Sequence, residues 1–260
     1  TINRKAEGAI IDQGSQLSAG GDINTTGQSY TELELYDSES TDYSKITNEN
    51  RVGVSSESYS SSDVAVGTTG AMGGASAGSS VGGKVQIKID MEESYQESKT
   101  AKTASYQSGG NINFTIKEDA KFLGTDMSSE GDINIAAGTI NYVEARDTYT
   151  KSSESLSDVT SGSMDVSGSN ASFESQESNE NLSTSKAKVG TMAATGNINI
   201  ATTGDANFVG TELSAEESIS VNSGGTVSFD SARDEYNYDS SLHSSSTSLD
   251  VDWGVASMNV

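Results

Sequence analysis

His243 is the only histidine of this 260-residue chain, so a Ser–His–Asp triad could be built in one place only, Ser240-Ser-Leu-His243-Ser-Ser-Ser. A triad needs an imidazole that takes a proton from a positioned hydroxyl, and the glycine-flanked turn that presents such a serine is absent. His243 therefore reads as a residue of a solvated segment. One His and no Cys leave a His-based zinc site without ligands. Gly78-Ser-Ser-Val-Gly82-Gly83-Lys84 matches most of a phosphate-binding loop, but Val85 stands where Ser or Thr would hold magnesium. The segment also leads into a strand-like pattern, which offers phosphate no helix N-terminus. A glycine-rich hairpin tip accounts for it.

Carboxylates are the remaining candidates, because a facing pair of them can cleave a glycosidic bond. Glu92-Glu93, Glu216-Glu217 and Asp234-Glu235 are adjacent pairs, and on a strand adjacent side chains point to opposite faces. Glycosidase carboxylates must face one another, about 5–10 Å apart. Asp119 and Asp205 hold matching positions and could meet on stacked coils, yet a group repeated in each copy reads as a corner residue. For calcium, the Gly-Gly-x-Gly-x-Asp nonapeptide is absent, and Gly20-Gly21-Asp22 lacks its spacing. The Asn-x-Ser/Thr tripeptides at Asn24, Asn113, Asn170 and Asn181 read as corner caps or ladder residues. Tyr142 and Phe229 fall in core or surface positions of the repeats, while Tyr149, Tyr236, Tyr238 and Trp253 lie between them. No residue is assigned a catalytic, cofactor-binding or metal-binding role, and no cofactor is expected.

The elements that would position any of these groups repeat. Gly124-Thr-Asp-Met-Ser-Ser-Glu-Gly-Asp-Ile-Asn-Ile runs on to Ala145-Arg146-Asp147, and Gly210-Thr-Glu-Leu-Ser-Ala-Glu-Glu-Ser-Ile-Ser-Val runs on to Ala232-Arg233-Asp234. A looser copy opens at Gly14 and reaches Leu35-Tyr36-Asp37. The better copies are 86 positions apart and the looser one 110, so 24 further residues lie between Asp37 and Gly110. Asn111-Ile112-Asn113-Phe114, Asp132-Ile133-Asn134-Ile135 and Asn197-Ile198-Asn199-Ile200 alternate polar with apolar, as half-buried strands do. Ile112 to Ile133 and Ile198 to Ile219 are both 21 positions. Short strands, glycine corners and about 20 residues per circuit predict an all-β fold, a right-handed parallel β-helix (solenoid). An antiparallel sandwich would show hairpin turns every 8–12 residues or so.

The predicted organisation is one β-helical fragment over 1–260. Its cassettes span about 10–37, 101–147 and 187–234, and its excursions about 38–100, 148–186 and 235–260. The excursions are predicted to be protruding β-hairpin arms packed on the solenoid or on each other, since structureless loops of that length are rare. Lys84-Val85-Gln86-Ile87-Lys88-Ile89-Asp90-Met91 and Leu249-Asp-Val251-Asp-Trp253-Gly-Val255 are their clearest strands, and Val64 and Val66 are placed to pair with the first.

Composition agrees. Only 32% of residues are hydrophobic and there is no Pro, which a ladder of strands excludes. A net charge of −23 argues against nucleic acid and against docking on an anionic membrane. No run is long and apolar enough to span a bilayer. The chain opens in mid-pattern with Thr1-Ile-Asn-Arg-Lys and no signal peptide, and reads as an excised piece of something longer.

The order Gly-Gly-Asp-Ile-Asn, Gly-Asn-Ile-Asn-Ile, then Ala-Arg-Asp and Tyr/Ser-rich sequence resembles the haemagglutinin repeats of filamentous haemagglutinin-like exoproteins. The likeness is greatest to the downstream repeat region of contact-dependent growth-inhibition effectors of Gram-negative bacteria. Arg51-Val52-Gly53-Val54 and Trp253-Gly254-Val255 echo the Gly-Val strands of those excursions. The resemblance implies a secreted stalk, adhesive or structural and not an enzyme, exported through an outer-membrane partner transporter by two-partner secretion. It further implies action at a target cell's surface or outer membrane during toxin delivery. The segment itself is expected to be monomeric. The alternative is a polysaccharide-active β-helix enzyme, a lyase or glycosidase.

Overall fold

The computed structural model describes residues 1–56, 81–164, 168–252 and 255–259. Those residues contain strands and no helix, and they fall into two units. The Gly78 loop, Val64, Val66 and Trp253 lie wholly or partly outside the described residues.

The first unit comprises Thr1–Glu39, Glu97–Tyr149 and Ser183–Asn237 and is a stack of six coils. The first coil is β1 (Ile2–Lys5), β2 (Ile10–Asp12) and β3 (Gln16–Ala19). The second opens with β4 (Ile23–Gly27) and β5 (Tyr30–Glu32), runs out as β6 (Tyr36–Ser56), returns as β7 (Val81–Ala101) and closes with β8 (Ser105–Ser108). The third is β9 (Ile112–Ile116), β10 (Asp119–Leu123) and β11 (Asp126–Ser129). The fourth takes β12 (Ile133–Ala137) and β13 (Thr139–Val143), runs out as β14 (Ala145–Met164), returns as β15 (Gly168–Lys188) and closes with β16 (Thr191–Ala194). The fifth is β17 (Ile198–Thr202), β18 (Ala206–Val209) and β19 (Glu212–Ala215). The sixth begins with β20 (Ile219–Ser223) and β21 (Val227–Asp230), then runs out as β22 (Glu235–Asp252), which pairs antiparallel with β23 (Val255–Asn259).

Three parallel sheets result, β1-β4-β9-β12-β17-β20, β2-β5-β10-β13-β18-β21 and β19-β16-β11-β8-β3, and the fold is a parallel β-helix. The register is strict: Ile2, Ile23, Ile112, Ile133, Ile198 and Ile219 stand one above another. The period is thus two coils. Segments that match at 86 positions are next-nearest neighbours, for Ile133 lies between Ile112 and Ile198. One coil of each pair is closed and the other carries an excursion, always between the second and third sheet.

Inward side chains of the alternating pattern fill a narrow core. Ile23, Ile112, Ile133 and Ile198 are fully buried. Tyr30, Phe122, Tyr142, Phe208 and Phe229 form a column with successive ring centroids 5.1, 5.2, 6.5 and 4.8 Å apart. Phe229 closes that column at the last coil and is exposed. Outward, Asn3, Asn24, Asn113, Asn134 and Asn199 form a side-chain amide ladder at 2.8–3.0 Å. Stacking thus satisfies polar groups on one face of each strand while it dries the other.

The second unit comprises Ser40–Gln96, Thr150–Leu182 and Tyr238–Val260. Its sheet has the order β23-β22-β15-β14-β7-β6, so the excursions pair with each other. Val85, Ile87 and Ile89 lie on β7 between β6 and β14.

Candidate functional site

The corner between the second and third sheets decides whether a coil closes or sends out an excursion. In closed coils the turn is made by Gly14, Gly124 and Gly210, with φ of 60°, 57° and 59°. Side-chain-bearing residues are disfavoured there. Space is also short: a Cβ on Gly124 would meet the Lys188 carbonyl at 2.9 Å and the Ala145 methyl at 3.0 Å. Gly210 is crowded by Ala232 and Val189 in the same way. Each repeat therefore opens with Gly and reaches a residue such as Ala145 or Ala232 because the two pack together on adjacent coils.

The Asp of each Ala-Arg-Asp triplet has a separate task. Asp147 Oδ1 accepts the Ala101 N–H at 2.7 Å, and Asp234 Oδ1 accepts the Ala187 N–H at 2.8 Å. An outgoing strand is thus fastened to the strand returning from the excursion before it. Lys188 Nζ donates to the Ala101 carbonyl at 3.0 Å, and Arg146 binds Glu144 at 2.7 Å. Asp37, at the first such position, pairs with Lys102 at 2.9 Å.

A second constellation lies inside the first three coils. Arg4 Nη1 reaches Asp12 Oδ2 at 2.6 Å, and the Tyr106 hydroxyl donates to that oxygen at 2.7 Å. The Tyr30 hydroxyl donates to Glu32 Oε1 at 2.7 Å, and Thr125 and the Leu123 N–H (2.8 Å) both donate to Glu32 Oε2. Asp12 and Glu32 are buried. Burial raises the Glu32 carboxyl above the ordinary carboxylate value against the pull of its three donors. Burial also pushes Asp12 up, but hydrogen bonds from Ser15, Tyr106 and Arg4, with the Arg4 charge, hold it below that value. Sequence reasoning missed this cluster. Its trace is the polar residue at an inward position in Ile10-Ile11-Asp12 and Tyr30-Thr31-Glu32.

In the second unit the side-chain contacts define two faces. Asp90 accepts from Ser157 at 2.7 Å, Ser161 meets Ser172 at 2.7 Å, Lys151 faces Glu180 at 3.8 Å, and Asn170 bonds to Asp250. Lys88 pairs with Asp90 at 2.8 Å, and Glu49, Arg51, Gln86 and Lys88 line one depression. The Lys88 ammonium, then Ser157, holds the exposed Asp90 carboxyl below its ordinary value. All of these lie on one face. Alternation puts Ile46, Val85, Ile87, Ile89, Phe173 and Leu249 on the other.

The sequence candidates are not brought together. Asp119 Oδ1 accepts the Thr139 hydroxyl at 2.6 Å, and Asp205 Oδ1 accepts the Thr226 N–H at 2.7 Å. Both serve corners, with the fourth coil between them. Asn24 and Asn113 are ladder residues, as Asn170 is a cross-strand one. Tyr142 is buried and donates to the Thr125 carbonyl, whereas Tyr236 and Tyr238 are exposed. His243 lies exposed on β22. Among the described residues no group of three or more His, Asp or Glu converges as a metal ion would require.

Residues 85–248 match the family model of the hemagglutinin repeat. No curated protein and no solved structure matches the chain.

Proposed function

Because this chain belongs to the hemagglutinin-repeat family, we propose that it is a stalk segment of a Gram-negative exoprotein that engages a target cell's surface or outer membrane during contact-dependent toxin delivery. Proteins of the family are secreted or displayed at the cell surface, and the family is structural and adhesive in kind, not typically enzymatic. In this reading the whole chain is one β-helical repeat fragment, monomeric by itself, of a larger protein. A partner transporter of the outer membrane exports it by two-partner secretion. No residue acts as a catalyst or holds a cofactor or metal.

The observation that carries this reading is the alternation of closed and excursion-bearing coils. The solenoid uses every second coil to present long paired strands, at one corner and in one order. Such regularity serves display, since a catalytic pocket needs one unrepeated place. The test is an in-frame deletion of this segment from the full exoprotein. Export and surface display are expected to persist, while binding to target cells and inhibition of their growth in co-culture are lost. Undiminished inhibition by the displayed deletion protein would overturn the reading.

A further inference from the structure

The second unit's sheet confines its cations to one face. Lys45, Arg51, Lys84, Lys88 and Lys151 are all the Lys and Arg residues of that unit. The contacts of Arg51, Lys88 and Lys151, together with the period of two, place all five on the serine-rich face. Lys45 also acts on Asp90, a carboxylate of that face. The opposite face holds Ile46, Val85, Ile87, Ile89, Phe173 and Leu249, each 37–60% exposed. The same alternation gives it Asp42, Glu93, Glu154, Asp158 and Glu177 and no cation. Asp158 Oδ1 is buried and has no hydrogen-bond partner among the described residues.

An exposed apolar sheet face marks a binding surface. Its chemistry selects the occupant. A second copy of this face would set carboxylate against carboxylate, and like charges across an interface are costly. The anionic surface of a bilayer repels it for the same reason. We propose that this face docks a cationic amphipathic segment of a partner protein. The partner's apolar side chains cover the Ile87 stripe, and its Lys or Arg residues meet the exposed Glu154 and Glu177. The surface stands whether or not the repeat serves toxin delivery.

The test is a titration of the full chain with a labelled amphipathic peptide of leucine and lysine, read by fluorescence anisotropy. Saturable one-to-one binding is expected. The pair Ile87→Ser and Ile89→Ser should weaken it at least about tenfold, because two isoleucines that the bound peptide covers are removed. Glu154→Gln with Glu177→Gln should weaken it several-fold and flatten its salt dependence. Lys88→Gln, on the opposite face, should leave it unchanged, and a leucine–glutamate peptide should not bind. Should the isoleucine variant fail to fold, the glutamine pair alone carries the test, since it alters only exposed carboxylates. Equal binding by wild type and both variants would overturn the proposal, leaving net charge as the cause. So would a dimer of the chain, or uptake onto phosphatidylcholine vesicles, that Ile87→Ser with Ile89→Ser abolishes.

Discussion

The solenoid and the long-stranded sheet share one alternation of apolar and polar residues, with opposite outcomes. Ile112, Ile133 and Ile198 in the coils are fully buried, while Val85, Ile87 and Ile89 on β7 are 37–47% exposed. In the coils a closed three-sided path brings the inward faces of three sheets together, so each inward side chain meets neighbours above, below and across. In the excursions the strands pair edge to edge within one layer. A strand pattern determines which side is apolar; the path of the chain determines whether anything covers it.

The largest effect should come from the aromatic column. Phe122→Ala removes a fully buried ring packed between Tyr30 and Tyr142 and should cost about 3–5 kcal/mol by chemical denaturation. Ile87→Ala on the sheet should change stability by less than about 1 kcal/mol. Equal losses would erase the contrast between the two regions.

Glycine sharpens it further. Gly124→Ala forces a methyl group into a left-handed turn against a backbone carbonyl and should cost about 1–3 kcal/mol. Gly53→Ala on β6 meets nothing within 4 Å and should leave the melting temperature unchanged or slightly raised.

Asp147→Ala leaves the Ala101 N–H without its acceptor beside a buried residue and should cost about 1–2 kcal/mol. Hydrogen exchange of that amide should speed up. Asp234→Ala, at the exposed copy of the fastening, should show a fraction of the loss.

The smallest effect concerns the buried charges. The raised Glu32 carboxyl binds its proton more tightly when folded, so its contribution to stability falls as pH rises through the ordinary carboxylate value towards its own. Glu32→Gln, which cannot titrate, should therefore remove that slope. Asp12 runs the other way: held low, it stabilises above the ordinary carboxylate value, and this is lost as pH falls through its folded value. Denaturation midpoints of wild type and Glu32→Gln between pH 4 and 7 would separate the two, and parallel curves would refute the assignment.

Much of the solenoid was legible because stacking demands repetition. Ile112 and Ile133 had to recur at 21 positions, and Gly124 and Ala145 had to recur together. The pairing order was not legible, since a repeat of 86 positions looks like direct stacking while an inserted coil of related sequence lies between the copies. Nor was the fastening role of Asp147, whose partner Ala101 lies 46 residues away. For the excursions, amphipathic strands were legible at Lys84–Met91, but not that they join one another in a single sheet.

The sequence by itself determined the coil: alternation, corner glycines and asparagine positions are local signals of a stacked strand. Only the tertiary structure decided what each alternating face meets. It gathered the buried Asp12 and Glu32 with the half-buried Arg4, placed every second coil's outgoing strand beside the one returning before it, and left the Ile87 face uncovered. The physical reason is that burial is a property of neighbours distant in the chain, on which a local pattern carries no information.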